Sequence, residues 1–452
     1  MKECPFPLIA TSGNRSDEPI AIANEEAKTR LNDIADHFLT HNRPIVRACD
    51  DSVVRLTRGR AGILRRARGY APLGIRVGRD LPPVLAVGGH LKNTVAIAVG
   101  RDVFLSQHIG DLETLEARLA FERAIGDLCR LYSFKPEAVV CDLHPDYAST
   151  HWAEKSGLPV IRTQHHQAHV AACAAENKVE GSYLGVSWDG TGYGLDGAIW
   201  GGEFFRVEGD RYERVSHLRP FGLPGGDAAV REGWRCAASL LFELEKQGIP
   251  GLATAAKPGA RPSELVTNGV PYVSPLLRDV EIRTAAVKSM LERGINVVPT
   301  TSVGRLFDAV ASITGIARQN RFEGQAAMLL ENEIGALHTD EAYPLSEGDW
   351  VPPISDVIND SRAGVPVSRI AARFHNALVN WIVEVAEQVR EKQIVFSGGV
   401  FQNRYLAERA AAVLEERHFV VHTHQRVPPN DGGIALGQAV MAEWKSGSSR
   451  PR

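Results

Sequence analysis

The chain has 452 residues, of which 44% are hydrophobic and 23% charged, enough apolar material for the folded cores of about three domains. This composition excludes a largely disordered chain and a low-complexity polymer, and Lys plus Arg of 51 against Asp plus Glu of 54 leaves a formal charge of -3. That balance gives no global electrostatic argument for nucleic acid, although it leaves a local basic patch open.

Early charge and an early proline in Met1-Lys2-Glu3-Cys4-Pro5 do not match a secretory signal, and no apolar run approaches the ~18–20 residues of a membrane span. Six scattered cysteines, at positions 4, 49, 129, 141, 173 and 236, form no C-x-x-C pair, so reduced thiols in a cytoplasmic chain are expected rather than a zinc finger or redox dithiol. The opening stretch Pro5-Phe6-Pro7-Leu8-Ile9-Ala10 reads like the interior of a domain, as if the chain starts partway through one. Up to about Pro72 the pattern predicts a short strand-like run, a Thr11-Ser12-Gly13-Asn14 turn and a helix over residues 25–39. Leu31, Ile34, Ala35 and Phe38 would form the buried face of that helix. Arg55, Arg58, Arg60, Arg65, Arg66 and Arg68 then read as a solvated charged surface of a small α/β unit. A linker is expected over 74–83, with a turn at Gly78-Arg79-Asp80 and an end at Pro82-Pro83.

A second unit opens with a strand at Val84-Leu85-Ala86-Val87, a Gly88-Gly89 turn and a strand over 94–99. Helical pattern follows over 112–132, then strands at 138–140 and 158–161 leading into a histidine-rich stretch at Gln164. From Ser182 a strand over 183–188 runs to an Asp189-Gly190-Thr191-Gly192 turn, with returning strands at 197–200 and 204–207. Helices are predicted to dominate from 228 to 386, interrupted by a Pro/Gly-rich loop between 250 and 274. A strand at 393–396, a glycine turn, a helix over 404–416, a strand at 419–421 and an Ala-rich helix close the chain. Strand followed by helix across two halves points to α/β architecture.

Chemistry concentrates in Gln164-His165-His166-Gln167-Ala168-His169, where a helix would set His165 and His169 at i and i+4 on one face. Two imidazoles so placed can ligate one metal ion, whereas His166 points about a quarter-turn away. The competing reading is a set of ordinary histidines, one of them satisfied in the core. A carboxylate should complete the ligands, and Asp431 and Asp189 are the two candidates, although each taken alone is more often a turn or capping aspartate. Glycines beside Asp189, and the Ser397-Gly398-Gly399 turn that follows a buried strand, suit phosphate contact through backbone N–H groups. Gly304, Arg305 and Asp308, with Glu323 and Gly324, add polar groups that could grip a ribose or base, or equally stitch helices together.

These stretches resemble the HypF family of hydrogenase-maturation carbamoyltransferases over essentially the whole chain. The resemblance is carried by Thr11-Ser12-Gly13-Asn14, Arg65-Arg66-Ala67-Arg68-Gly69-Tyr70, Leu91-Lys92-Asn93-Thr94, Asp142-Leu143-His144-Pro145-Asp146-Tyr147, the His165 cluster, Asp189 to Gly197 and Phe396 to Asn403. It implies a two-lobed actin/hexokinase-like (TsaD-like) carbamoyl-transfer domain over residues 83–452, with lobes at about 83–180 and 181–452. A partial YrdC-like α/β segment over 1–76 would precede it. Family members begin with an acylphosphatase-like domain and cysteine-rich zinc motifs, so an N-terminally truncated form is expected here.

The resemblance also implies site roles. His165, His169 and Asp431 would hold a divalent metal, iron or zinc, with Asp189 near metal and phosphate and His165, His169 and Asp189 at the reacting group. Gly190, Thr191, Gly192, Asp308, Glu323, Gly324, Ser397, Gly398, Gly399 and Asn403 would contact ATP or carbamoyl-adenylate, Mg²⁺ accompanying ATP. Ser12, Asn14 and Arg68 would add contacts from the YrdC-like segment. The implied reaction makes carbamoyl-adenylate from carbamoyl phosphate and ATP and passes the carbamoyl group to the C-terminal Cys of a HypE-like partner. This chain would retain the transfer half-reaction and lack or borrow the adenylate-forming half. No membrane or nucleic-acid partner is expected, because the only basic run falls in the YrdC-like segment. Three other readings stand beside this one: an O-carbamoyltransferase of a small-molecule pathway, a non-catalytic scaffold that binds HypE, and a tRNA-directed role resembling TsaD.

Overall fold

The computed structural model describes residues 6–16, 18–248 and 280–442. The chain forms two compact units, one of Met1–Thr163 with His424–Arg452 and the other of Gln164–Thr423. The expected lobe boundary near residue 180 therefore differs from the units, which separate before the histidine-rich helix and again after residue 423.

In the first unit the run at 6–10 forms no strand, and helix α1 (Asn24–Leu31) stops well short of residue 39. Glu26 reaches back to the Ile22 and Ala23 amides and starts the helix. No residue of α1 is buried and Ile34 is 64% exposed, so no tertiary packing carries the helix past the weak helix formers Asn32 and Asp33. Strands β1 (Val53–Thr57) and β2 (Arg60–Arg65) form an antiparallel hairpin around Arg58 and Gly59, both with positive φ. The basic run is not uniformly solvated. Arg66 is buried and donates to the Leu73 and Arg426 carbonyls at 2.6 and 3.2 Å.

The expected linker at 74–83 is instead strand β3 (Gly74–Leu81). Ile75 and Val77 are buried while Arg76 and Gly78 are exposed, so the segment has a two-residue period that its glycines and charges obscure. Beyond it come β4 (Val84–Ala86), β5 (Ala96–Leu105), α2 (Leu115–Leu131, capped by Thr114), β6 (Ala138–Asp142), α3 (Ala148–Lys155) and β7 (Val160–Thr163). The sheet order is β3-β5-β4-β6-β7, with β4, β6 and β7 parallel and β5 antiparallel to both its neighbours. Val87, Ile97, Phe121, Leu128 and Val139 pack one core against α2.

The second unit begins with α4 (His165–Glu176) and β8 (Tyr183–Trp188). Residues 197–200 contribute only isolated bridges of Ile199 to Tyr193 and Thr300, so the returning strand is β9 (Gly202–Glu208), continued antiparallel by β10 (Arg211–His217). After β11 (Phe221–Pro224), α5 (Asp227–Arg231), α6 (Trp234–Lys246) and α7 (Val280–Arg293), strand β12 (Val297–Thr300) breaks the expected helical run by pairing with β11. The loop expected at 250–274 lies outside the described residues. Helices α8 (Val303–Ile313), α9 (Gln325–Ile334), α10 (Val351–Arg362) and α11 (Val367–Val389) lead to β13 (Gln393–Ser397), α12 (Arg404–Glu416) and β14 (Val420–His422). The sheet order is β10-β9-β8-β13-β14, with β8, β13 and β14 parallel. β8 is buried along its whole length, and Trp188, Phe204, Phe307, Phe374, Trp381 and Phe396 fill the core beside it.

Residues 424–442 return to the first unit. Thr94 Oγ1 donates to the Gly432 carbonyl at 3.0 Å, and helix α13 (Ile434–Met441) packs on β4 and β5. The Gln438 side chain accepts from Gly88 N at 2.8 Å and donates to Gly88 O at 3.2 Å, as a missing strand neighbour would.

Two outcomes follow for stability. A Cβ at Gly185 on β8 would lie 2.5 Å from Val170 Cγ1 on α4, so Gly185→Ala should destabilise the second unit by about 1–3 kcal/mol, read as a lowered denaturant midpoint. Buried His375 lies with Nδ1 2.7 Å from the Ala371 carbonyl, and its Nε2 accepts from Asn403 Nδ2 at 2.8 Å. Burial pushes its pKa down to about 4, against the upward pull of the Ala371 carbonyl. The unfolded chain binds a proton below about pH 6.5 that the folded chain refuses. Stability should therefore fall by roughly 3 kcal/mol as pH drops from 6.5 to 4, and His375→Gln should flatten that part of the urea-unfolding profile.

Candidate metal and nucleotide site

Helix α4 starts where the Gln164 side chain accepts from the Gln167 amide at 2.9 Å, and its alanines let it lie close on β8 and β13. This fixes His165 and His169 one turn apart, both fully buried, facing the end of β8. Their Nε2 atoms lie 3.4 and 3.2 Å from one atom, Asp189 Oδ2. The other carboxylate oxygen, Oδ1, accepts from Gly399 N at 3.0 Å. Burial alone would raise the Asp189 carboxyl, but the two imidazoles that bond to it win and hold it well below the usual carboxylate range. Asp189 is thus a carboxylate on which two rings and one backbone amide converge.

The main chain around it is pinned as firmly. Asp189 N donates to Gly201 O at 2.9 Å, while Ser302 Oγ lies 2.8 Å from the carbonyls of both Asp189 and Gly190. Ser302 also caps α8 by accepting from Arg305 N at 3.2 Å. Two glycines are obligatory for close approach. A Cβ at Gly192 would fall 2.4 Å from His166 Cε1, and Gly398, at φ +99°, would carry one 2.1 Å from the Trp188 carbonyl oxygen. Gly304 abuts the turn too, since its Cβ would meet Gly190 Cα at 2.8 Å.

Within the second unit the structure therefore gathers His165, His169, Asp189, Gly190, Gly192, Gly398 and Gly399, with Thr191 in the same turn and Ser397 at the adjoining strand end. His166 turns away from Asp189. Its Nδ1 lies 3.3 Å from Gln164 Nε2, and burial holds its pKa well below the ordinary value. Asp308 pairs with Arg305 on α8 and accepts from Asn320 Nδ2 at 2.9 Å. Gly324 caps α9 in the left-handed region, and the Glu323 carboxylate lies 3.7 Å from where a Gly190 Cβ would be. Asn403 caps α12 by accepting from Leu406 N at 2.9 Å and donates to His375, a structural duty.

Four candidates lie in the first unit. Asn14 donates to the Arg15 and Glu18 carbonyls of its own turn, Ser12 lies in the exposed stretch before it, and Arg68 pairs with Asp51 and donates to Cys49 O at 2.9 Å. Asp431 is buried at the start of a short 3₁₀ turn capped by Asn430, with Oδ2 3.1 Å from the position of a Gly89 Cβ. Ser302 was not among the expected site residues, and Arg305 was named only as one of several polar groups on the later helices. A serine directly before an apolar helical run was the available signal for Ser302.

The donor atoms of His165, His169 and Asp189 lie within 4.8 Å of one another. Two imidazole nitrogens and a carboxylate oxygen converging on one point suit iron or zinc.

Comparison with known proteins agrees in all parts of the chain. Residues 185–438 match the family model described as "Carbamoyltransferase, Kae1-like Domain, second subdomain", 79–176 the HypF Kae1-like domain, and 1–67 the Sua5/YciO/YrdC model described as "Telomere recombination". A carbamoyltransferase HypF of Synechocystis is 41% identical over 97% of this chain, which spans 57% of that protein's length. A HypF homologue of Cupriavidus necator is 33% identical over 81% of this chain and 92% of its own length. A crystal structure of full-length HypF in the phosphate- and nucleotide-bound form superposes with a TM-score of 0.85 at 37% identity, covering 95% of this chain and 66% of that one. The HypF structure from T. kodakarensis gives 0.82 at 29% identity, covering 95% and 56%. The fold is accordingly α/β, with a YrdC-like match at the front and Kae1-like domains after it, and the chain belongs to the HypF carbamoyltransferase family.

Proposed function

We propose that this chain is a carbamoyltransferase of hydrogenase maturation, with a partial YrdC-like segment over 1–76 and a carbamoyl-transfer domain over 83–452. The observation that carries the reading is the triangle of His165, His169 and Asp189, tied through Asp189 Oδ1 to the Gly399 amide of the adjoining glycine turn. Histidines and carboxylate would hold a divalent ion, iron or zinc, with Asp431 as the further ligand that the family resemblance assigns. Such an ion, when bound, acts as a Lewis acid and template for an oxygen of the transferred group or phosphate.

The chain's own groups do the rest. Backbone amides at Gly190, Gly192 and Gly398 would cradle the phosphate of ATP or carbamoyl-adenylate, with Thr191, Ser397 and Gly399, whose own amide donates to Asp189, beside them. Glu323 would accept from ribose hydroxyls. The nucleophile is the C-terminal thiolate of a HypE-like partner: a C–S bond forms at the carbamoyl carbon, the C–O bond to the phosphate breaks, AMP leaves and the thiol proton passes to solvent. No nucleophile from this chain is needed. We place the reaction in the cytoplasm, consistent with unpaired thiols at Cys49, Cys129, Cys141, Cys173 and Cys236.

Metal content is the first test. Protein loaded with iron or zinc should retain about one ion per chain, and His165→Ala, His169→Ala and Asp431→Asn should each lower the retained metal by elemental analysis. Retention in His165→Ala equal to wild type would remove the metal assignment. The second test is single-turnover transfer from pre-formed carbamoyl-adenylate to a HypE C-terminal peptide. His165→Ala should slow it by at least about a hundredfold, since Lewis-acid stabilisation is worth several kcal/mol. An unchanged rate would sink the proposed site.

A further inference from the structure

Arg305, in the first turn of α8, and Asp308 one turn later form an ion pair with Nη1 3.0 Å from Oδ2, their side chains 3% and 1% exposed. The pair is poorly made for its depth. Arg305 Nε and Nη1 and Asp308 Oδ2 have no aligned hydrogen-bond partner, and only Asp308 Oδ1 is satisfied, by Asn320 Nδ2. A guanidinium carries five N–H donors, and leaving several unsatisfied in a buried position costs free energy that a well-packed apolar pair would not. Such a defect calls for a missing acceptor.

The direction of the guanidinium identifies that acceptor. Arg305 Nη2 lies 3.4 Å from where a Gly190 Cβ would be, on the side chain-free face of the turn after Asp189, and Glu323 Oε1 lies 3.7 Å from the same point. One cation and one carboxylate therefore flank the glycine. A carboxylate repels a phosphate and accepts from a hydroxyl, while a guanidinium does the reverse, so the two together fit a sugar phosphate.

We infer that Arg305 is an anion-binding residue of the Gly190 turn, donating to a phosphate oxygen of a bound nucleoside phosphate, and that Asp308 is the positioning residue that holds its guanidinium. This rests on the nucleotide reading of the turn and adds to it a side-chain cation where backbone amides alone were assigned. The competing role for the pair is to tie α8 to the segment at Asn320, with no ligand involved.

Calorimetric titration of the full chain with AMP and with adenosine separates the two. Wild type should bind AMP more tightly than adenosine. Arg305→Met, checked for folding by circular dichroism, should lose about 10- to 100-fold in AMP affinity, the range for hydrogen bonds to charged groups, and keep its adenosine affinity. Arg305→Lys, which keeps the charge without the fork, should lose only part of the preference. Equal losses for AMP and adenosine in Arg305→Met, or an unchanged ratio, would overturn the assignment while leaving the nucleotide reading intact. A wild type that does not prefer AMP would overturn both. Should Arg305→Met fail to fold, Arg305→Lys decides: a reduced AMP preference supports the inference and a wild-type preference rejects it.

Discussion

The second unit depends on keeping one carboxylate charged in a place where burial opposes it. Asp189 sits at the end of a fully buried strand, where an isolated carboxylate would take up a proton. The two imidazoles on one oxygen reverse that preference, while a backbone amide bonds the other oxygen. Meeting this condition requires α4 to lie close on the sheet, β13 to end beside β8, and the chain to turn sharply after both strands. Gly185, Gly192 and Gly398 are the places where side chains had to be removed to allow it. Ser302 extends the same logic to the main chain, since one hydroxyl serves two carbonyls and a helix start.

Neighbouring buried charges are treated differently. Glu203, wholly buried, accepts from the Gly201 and Gly202 amides and from Thr301, and meets Arg214, which in turn covers the Trp200 ring. In that network Arg214 Nη2 alone lacks an aligned partner, on a side chain one-fifth exposed, whereas the far more deeply buried Arg305 pair leaves Arg305 Nε and Nη1 and Asp308 Oδ2 without one. The two pairs thus differ in how much of their hydrogen-bonding capacity the fold itself supplies.

Much of this was legible in the sequence because the local signals agreed with the packing. Strand β8 and helix α12 fall on the residues that periodicity predicts, and the i, i+4 histidines meet the Asp189 turn as expected. Where the reading failed, a tertiary term outweighed a local one. Gly78 and three charged residues hid the strand at 74–81, which is held by pairing with β5 rather than by its own propensity. The apolar spacing at 31–38 overstated α1, because periodicity predicts a helix only where something covers the apolar face. The capping duty of Asn403 was equally invisible, since its histidine partner lies 28 positions earlier in the chain. Arg305 looked like one polar residue among several until its burial was known.

The return of residues 424–442 to the first unit has a consequence for how the protein is made. Gly88 presents its amide and carbonyl to Gln438, and Thr94 its hydroxyl to Gly432, so the first sheet is completed by residues some 340–350 positions downstream. During synthesis the second unit, continuous in sequence, can close on itself while the first still waits for its last helix. The covering of β4 and β5 by α13, and the burial of Asp431 ahead of it, are therefore among the last events of folding. Translation that stopped before residue 434 would release a chain whose histidine pair is in place and whose first sheet lacks its final cover.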